Sequence, residues 1–307
     1  MNYDITIVTS GRDDSHCGDF IHRLNNMISV LAYGVKTYHI NLELIIVEWN
    51  PLNKSCLLKS LNIHPELSGR VSIITIPLEI HKDIKPTQFD AIKSHEINFF
   101  MGIAQNVGIR RAQGKFILTT NADILLNENI LSLLGSFHEL KTKNFYRIYR
   151  YDLNKPLSQI TLNNFKEVMI ECEQSSILRG ETVPSNTIHK KAAGDFILAP
   201  HEVFHSVRGF AEIKCDGLKI DGIILDYMSM FANQYVLDSS YKIFHQYHPN
   251  RYDNEYCFEG HIRKPPFKST SMHLVTPNLM MRNSCVLTHW NDNNWGLKDY
   301  KLEINIL

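Results

Sequence analysis

The chain has 307 residues, 44% hydrophobic and 21% charged, which suits a folded protein with a large core and excludes a disordered one. Its 32 Lys and Arg balance its 32 Asp and Glu, so nucleic acid is not an expected partner, since a duplex binder needs a basic excess. No apolar run approaches the about 18 residues that suggest a transmembrane helix.

Six cysteines, Cys17, Cys56, Cys172, Cys215, Cys257 and Cys285, form no CxxC pair and no cluster with zinc-finger spacing. Free thiols in a reducing compartment are expected. The N-terminal MNYDITIV carries an acid and lacks the basic region of a secretion signal. Together these features predict a cytoplasmic location. Peripheral contact with the inner face of a membrane stays open.

In chain order, DITIVTS (4–10) is a short β-branched run that predicts a buried strand. A helix follows in GDFIHRLNNMISVLAYG, where Phe20, Leu24, Met27, Ile28 and Leu31 recur at helical spacing. LELIIVEW (42–49) and VSIITIP (71–77) are the next strands. INFFMGIAQNVGIRRAQG (97–114) reads as a helix closed by Gly114 as its C-cap. KFILTT (115–120) is a fourth strand, NENILSLLGSFHEL (127–140) a helix, and FYRIYRY (145–151) alternates like a strand. The second half is less regular. It offers a helix around NNFKEVMIECEQ, a strand at GDFILAP (194–200), a helix over 219–234 starting near Asp221, and a strand at YKIFHQYHP (241–249).

Alternating strands and helices predict an α/β fold, a mostly parallel central sheet flanked by helices on both faces. In such sheets ligands bind beyond the carboxyl ends of the strands. TSGRDD, EWNP and TTNADI each lie at such an end. The last is the most informative: a buried strand ends on Asn121 and Asp123 before the chain turns apolar again. These two residues either cap the next helix or deliver a carboxylate to a site.

The stretch AQNVGIRRAQGKFILTTNADILL resembles the core of the GT-A glycosyltransferases, particularly the large family 2 group. Those proteins show an Asn-x-Gly-x-x-x-Ala-x-Gly helix, an apolar strand and then Asp-x-Asp. Here Asn106, Gly108, Ala112 and Gly114 match the helix, and Asn121-Ala122-Asp123 stands at the acidic triplet, with Asn in place of the first acid. The resemblance implies a GT-A type, Rossmann-like domain over residues 1–258, with a donor-binding half to about residue 125 and an acceptor half to 258. An irregular C-terminal extension, 259–307, would pack on it.

By the same resemblance the chain transfers a sugar from a nucleotide-sugar donor to a glycan or lipid-linked acceptor, with inversion, in the building of surface polysaccharide. Asp123 and His248 would hold a divalent metal, Mn2+ or Mg2+, on the diphosphate. His245 is the alternative partner within HQYHP. Thr9, Arg12, Asp13, Glu48, Asn106, Arg110 and Asn121 would bind the donor. Gly209-Phe210 and Glu212 mimic a Gly-Gly-Phe turn that precedes a helix opening on an acid, and this makes Asp221 the first candidate for general base, with Asp195 next. Two other functions fit the same residues. A non-catalytic nucleotide- or glycan-binding relative is suggested by Asn121. A nucleotidyltransferase would need a Gly-rich loop after the first strand, where SGRDD offers only Gly11 and Arg12. The Trp- and Asn-rich HWNDNNWGL (289–297) either stacks on sugar rings or packs its tryptophans on the core.

Overall fold

The structure is a computed structural model that describes residues 2–14, 18–52, 56–85, 90, 97–180, 184, 187–214, 220–249 and 290–307. Its strands are β1 (Tyr3–Gly11), β2 (Leu42–Trp49), β3 (Val71–Ile76), β4 (Gly114–Thr119), β5 (Ile124–Leu126), β6 (Asn144–Arg147), β7 (Arg150–Leu153), β8 (Ser176–Leu178), β9 (Ile197–Pro200), β10 (Asn233–Val236), β11 (Ile243–His245) and β12 (Glu303–Ile306). Its helices are α1 (Phe20–Tyr38), α2 (Cys56–Ser60), α3 (Leu78–Asp83), α4 (Met101–Arg111), α5 (Glu128–Gly135), α6 (Phe165–Ser175), α7 (His201–Val207) and α8 (Ile220–Met228).

An eight-stranded sheet has the order β10-β6-β9-β4-β1-β2-β3-β12. Within it β1, β2, β3, β4, β6 and β10 run parallel, and β9 and β12 run against them. The expected α/β fold, mostly parallel and flanked by helices, is therefore present. β2 is buried at every position, as a central strand covered on both faces must be. One apolar layer packs α1, α5 and α6 on the sheet, and the other packs α4, α7 and α8. A second sheet, β5-β11-β7-β8, joins the first of these layers. No helix among the described residues is long and apolar enough to cross a membrane.

Four expectations are corrected. Gly114 opens β4 instead of capping α4, whose last turn passes into an extended Ala112. Glycine is needed there for close approach: a Cβ would lie 2.4 Å from the Thr6 nitrogen on β1. The segment 145–151 is two strands in two sheets, because the chain leaves the large sheet after Arg147 and enters the small one at Arg150. The helix expected over 219–234 stops at Met228, and a turn leads into β10. The helix expected over 127–140 is α5 followed by one 3-10 turn at Phe137–Glu139. The tail also supplies a strand that its composition did not announce. β12 pairs with β3, and Trp295 is 4% exposed beneath the Arg110 guanidinium, so the tail packs this tryptophan on the core. His289 lies outside the described residues.

Candidate active site

β4 carries the chain out of the large sheet through residues 120–123 and into β5 of the small one. The Thr120 N–H donates to the Val8 carbonyl at 3.0 Å, and its hydroxyl donates to the Asp195 carbonyl at 2.8 Å. The crossover is thus anchored at the carboxyl end of the sheet. Asn127 caps α5 by accepting from the Ile130 N–H, so neither Asn121 nor Asp123 is needed as a cap.

The register of β5 on β11 sets Ile124 opposite His245, and the Gln246 N–H extends the ladder to the Asp123 carbonyl at 2.9 Å. Buried Gln246 also donates to the Arg23 carbonyl and accepts from Asn26, which ties the end of β11 to α1. His245 and His248 therefore converge on Asp123, with Nε2 atoms 3.5 and 3.4 Å from Oδ2. One ligand atom from each of the three residues lies within 4.8 Å of the others. Asp123 Oδ1 is buried with no hydrogen-bond partner among the described residues. The His248 Nδ1 lies 3.0 Å from the Pro249 carbonyl, a contact that orients the ring with its Nε2 toward Asp123. The His245 Nδ1 faces Asp152 at 4.0 Å, and Asp152 is held by Arg150 at 2.6 Å and Arg179 at 3.2 Å. A carboxylate behind an imidazole orients the ring and raises its basicity as a ligand.

Burial alone would raise the Asp123 carboxyl, but His245, His248 and Arg23 hold it well below the usual aspartate range. Burial pushes His245 below the ordinary histidine value. An ionised carboxylate and a neutral imidazole are the forms that bind a metal. Two nitrogens, one oxygen and an unsatisfied Oδ1 fit a divalent ion, and the imidazoles favour Mn2+ over Mg2+.

The second half of the site rests on Arg147. This fully buried guanidinium donates to the carbonyls of His189, Lys191, Ala192 and Ala193, and so moulds the loop ahead of the Ala193–Asp195 turn. The two Asp195 oxygens are both engaged, with Asn121 Nδ2 at 2.6 Å and Arg150 Nη1 at 2.8 Å. Asp221, in the first turn of α8, accepts the Gly194 N–H at 2.7 Å. Burial raises its pKa, and the nearby charge of Asp195 adds to the rise.

The structure thus brings Asn121, Asp123, His245, His248, Asp195 and Asp221 together, and adds Asp152, Arg150 and Arg23. The i, i+3 spacing of HQYH signalled the histidine pair. The charged partners on β7 carried no signal, because the switch of sheet before Arg150 is not visible in the alternation.

The remaining candidates lie elsewhere. Arg12 and Asp13 follow β1 directly, where Arg12 donates to the Asn50 carbonyl at 2.7 Å and pairs with Asp14. Burial raises Asp13, and Asp14 and Asp19 add to this. Thr9 is buried within β1, its hydroxyl without a partner among the described residues. Glu48 is fully buried and accepts from the Leu57 N–H and the Thr75 hydroxyl, so it braces α2 against β3. Asn106 is also a brace. Its amide holds the Phe210 N–H, the Phe210 carbonyl and Glu212, on the face of α4 that meets the Gly209-Phe210 turn. Arg110 packs on Trp295 of the tail. Glu48, Asn106 and Arg110 thus each make structural contacts at the positions where donor binding was expected.

No protein-family model matches the chain, and no curated protein matches it. Among solved structures it is similar to S. aureus TarS 1-349, with a TM-score of 0.49 at 13% identity over 79% of this chain and 60% of that one. The complex of TarS 1-349 with UDP-GlcNAc gives 0.46 at 12% identity, over 82% of this chain and 61% of that one. The chain therefore spans less than two thirds of the TarS structures it resembles.

Proposed function

We propose that this protein is a glycosyltransferase of GT-A type that moves a sugar from a nucleotide-sugar donor to a hydroxyl of a glycan or lipid-linked acceptor. The observation that carries the reading is the Asp123, His245 and His248 cluster at the end of β4, beside the carboxylates Asp195 and Asp221. The sequence resemblance through Asn121-Ala122-Asp123 points the same way. Asp123, His245 and His248 would hold a divalent ion, which when bound offsets the charge of the diphosphate leaving group.

Asp221 is assigned as general base. Its carboxylate takes the proton of the acceptor hydroxyl while that oxygen bonds to the anomeric carbon and the bond to the diphosphate breaks. Displacement in one step inverts the anomeric centre. The Gly194 N–H fixes the base, and Asp195, with both oxygens engaged, positions Asn121 and Arg150 around it. Arg12 and Asp13, at the end of β1, are assigned to the nucleoside.

Thermal shift with a panel of nucleoside diphosphates, with and without Mn2+, tests the donor site. One nucleotide is expected to raise the melting temperature only when Mn2+ is present, and Asp123→Ala and His245→Ala to abolish the rise. Millimolar nucleotide and Mn2+ without any stabilisation would overturn the reading. Stabilisation without sugar transfer to any acceptor would leave a binding protein in place of an enzyme.

A further inference from the structure

β11 is only three residues long, yet both imidazoles of the candidate metal site depend on it, His245 as its last residue and His248 three positions on. Gln246 leaves the strand between them and is gripped by main chain and side chain alike. Its main-chain N–H donates to the Asp123 carbonyl at 2.9 Å. Its Nε2 donates to the Arg23 carbonyl at 2.8 Å, and its Oε1 accepts from Asn26 Nδ2 at 3.0 Å. Arg23 and Asn26 stand three apart on α1, so they share one face of that helix, and the Gln246 amide spans both.

The junction is closed to water: Asn26 is 0% exposed and Gln246 is 2% exposed. Asn26 is committed on its other side as well, its Oδ1 accepting the Ile160 N–H at 2.8 Å and its Nδ2 lying 3.3 Å from the Ser158 carbonyl. A buried pair of amides that satisfy each other holds its geometry, because displacement strands a donor or an acceptor away from solvent. Only an amide meets both partners at position 246. An ionised glutamate would turn an acceptor toward the Arg23 carbonyl, and an apolar chain of the same length would satisfy neither partner.

We propose that Gln246 and Asn26 are positioning residues of the metal site. They fix the chain between His245 and His248 and so hold the two imidazoles against Asp123, the ligand atoms of all three lying within 4.8 Å of one another. Metal–ligand distances must be met to within about 0.2 Å, so a small tilt of residues 245–248 takes an imidazole out of reach of an ion held by Asp123. The Asp123 carbonyl gives the junction its direct link to the acid, because the residue that orients the histidines also bonds the aspartate's own main chain. Asn127, at the other end of the same small sheet, offers the contrast. It is a buried asparagine that caps α5 and donates to the Ser240 carbonyl, and it supports the fold without bonding the ligand segments. The inference rests on the reading of Asp123, His245 and His248 as a metal site.

The test is titration of the intact protein with Mn2+, the free ion being read by electron paramagnetic resonance, for the wild type, Gln246→Met, Asn26→Ser, the double variant carrying both, and Asn127→Ala. Gln246→Met and Asn26→Ser are each expected to weaken Mn2+ binding by about 10–100-fold. The double variant should bind no more weakly than the weaker single one, since both changes open one junction. Asn127→Ala should lower the melting temperature and keep the wild-type affinity, which separates positioning from loss of stability. Either single variant carries the test if the other does not fold. Unchanged Mn2+ affinity in the single variants would overturn the positioning role and leave the metal site standing. An equal loss in Asn127→Ala would reduce the effect to stability and overturn the role as well. A wild type that binds no Mn2+ would overturn the metal site and this inference with it.

Discussion

Asp221 sits close enough to Asp195 and deep enough in the protein for its charge to be costly, and its pKa rises accordingly. A general base acts only when ionised. With a raised pKa, the ionised fraction falls away at a higher pH than it would for an exposed aspartate, so the transfer rate should drop on acidification with a midpoint above the ordinary carboxylate value. Asp221→Asn is expected to lower kcat by about 10²–10⁴ and to erase this acid limb while leaving nucleotide stabilisation intact. A pH–rate profile of both proteins decides it, and survival of the limb in the variant would assign it to another group. The same scale explains why the resemblance breaks at position 121. Asn121 donates to Asp195 at 2.6 Å, and an aspartate there would set two carboxylates face to face. Asn121 instead offers Asp195 a donor on the side away from Arg150 and leaves Asp123 as the one acid of the motif.

At the scale of elements, both halves of the site are made by strands that change sheets. β4 hands the chain to β5 through Asn121 and Asp123, and β6 hands it through Ile148 and Tyr149 to β7, which opens on Arg150. Arg147, the last residue of β6, holds the loop 189–193 by its carbonyls. Arg147→Met should strand those buried acceptors and cost about 3 kcal/mol or more. It should also displace Asp195 and Asp221 and so reduce transfer. The rise in melting temperature with nucleotide and Mn2+ should persist, since Asp123, His245 and His248 are fixed from the other sheet. Urea unfolding and thermal shift on one preparation test both parts, and loss of the nucleotide effect would show that the halves are not separable. This division also marks what the sequence made legible. The buried parallel strand LELIIVEW is apolar at six of its eight positions, and β2 ends where that stretch ends. Asp123 was legible because an acid at a strand end interrupts apolar sequence. The break between β6 and β7 was not, because FYRIYRY alternates without a gap. Nor was the pairing of His245 with Asp123, which depends on the register between two three-residue strands. β12 escaped because EINI is mostly exposed, without the alternation of a half-buried strand, and its partner strand is far away in sequence.

For the whole molecule, the buried histidines set how the fold answers acid. His81, His189 and His205 are each pushed down to about 4, in every case first by burial. His81 shows why protonation is resisted: the Trp49 indole N–H donates to its Nδ1 at 3.0 Å, so that nitrogen must keep its lone pair. In the unfolded chain these residues titrate near 6.5. Between that value and 4 the unfolded state binds protons that the folded state refuses, so stability is full above about 6.5 and falls as pH drops, by at most about 1.4 kcal/mol per pH unit for each histidine. Buried Glu43, Glu48 and Glu212 have raised pKa values and act with the opposite sign, since they favour the folded state as they take up protons. They therefore offset part of the histidine slope as the pH falls. Urea midpoints at steps from pH 7.5 to 5.5 are expected to hold level and then decline. His81→Gln, which keeps a polar side chain but cannot titrate, should flatten part of that decline, and equal slopes in the two proteins would remove His81 from the account.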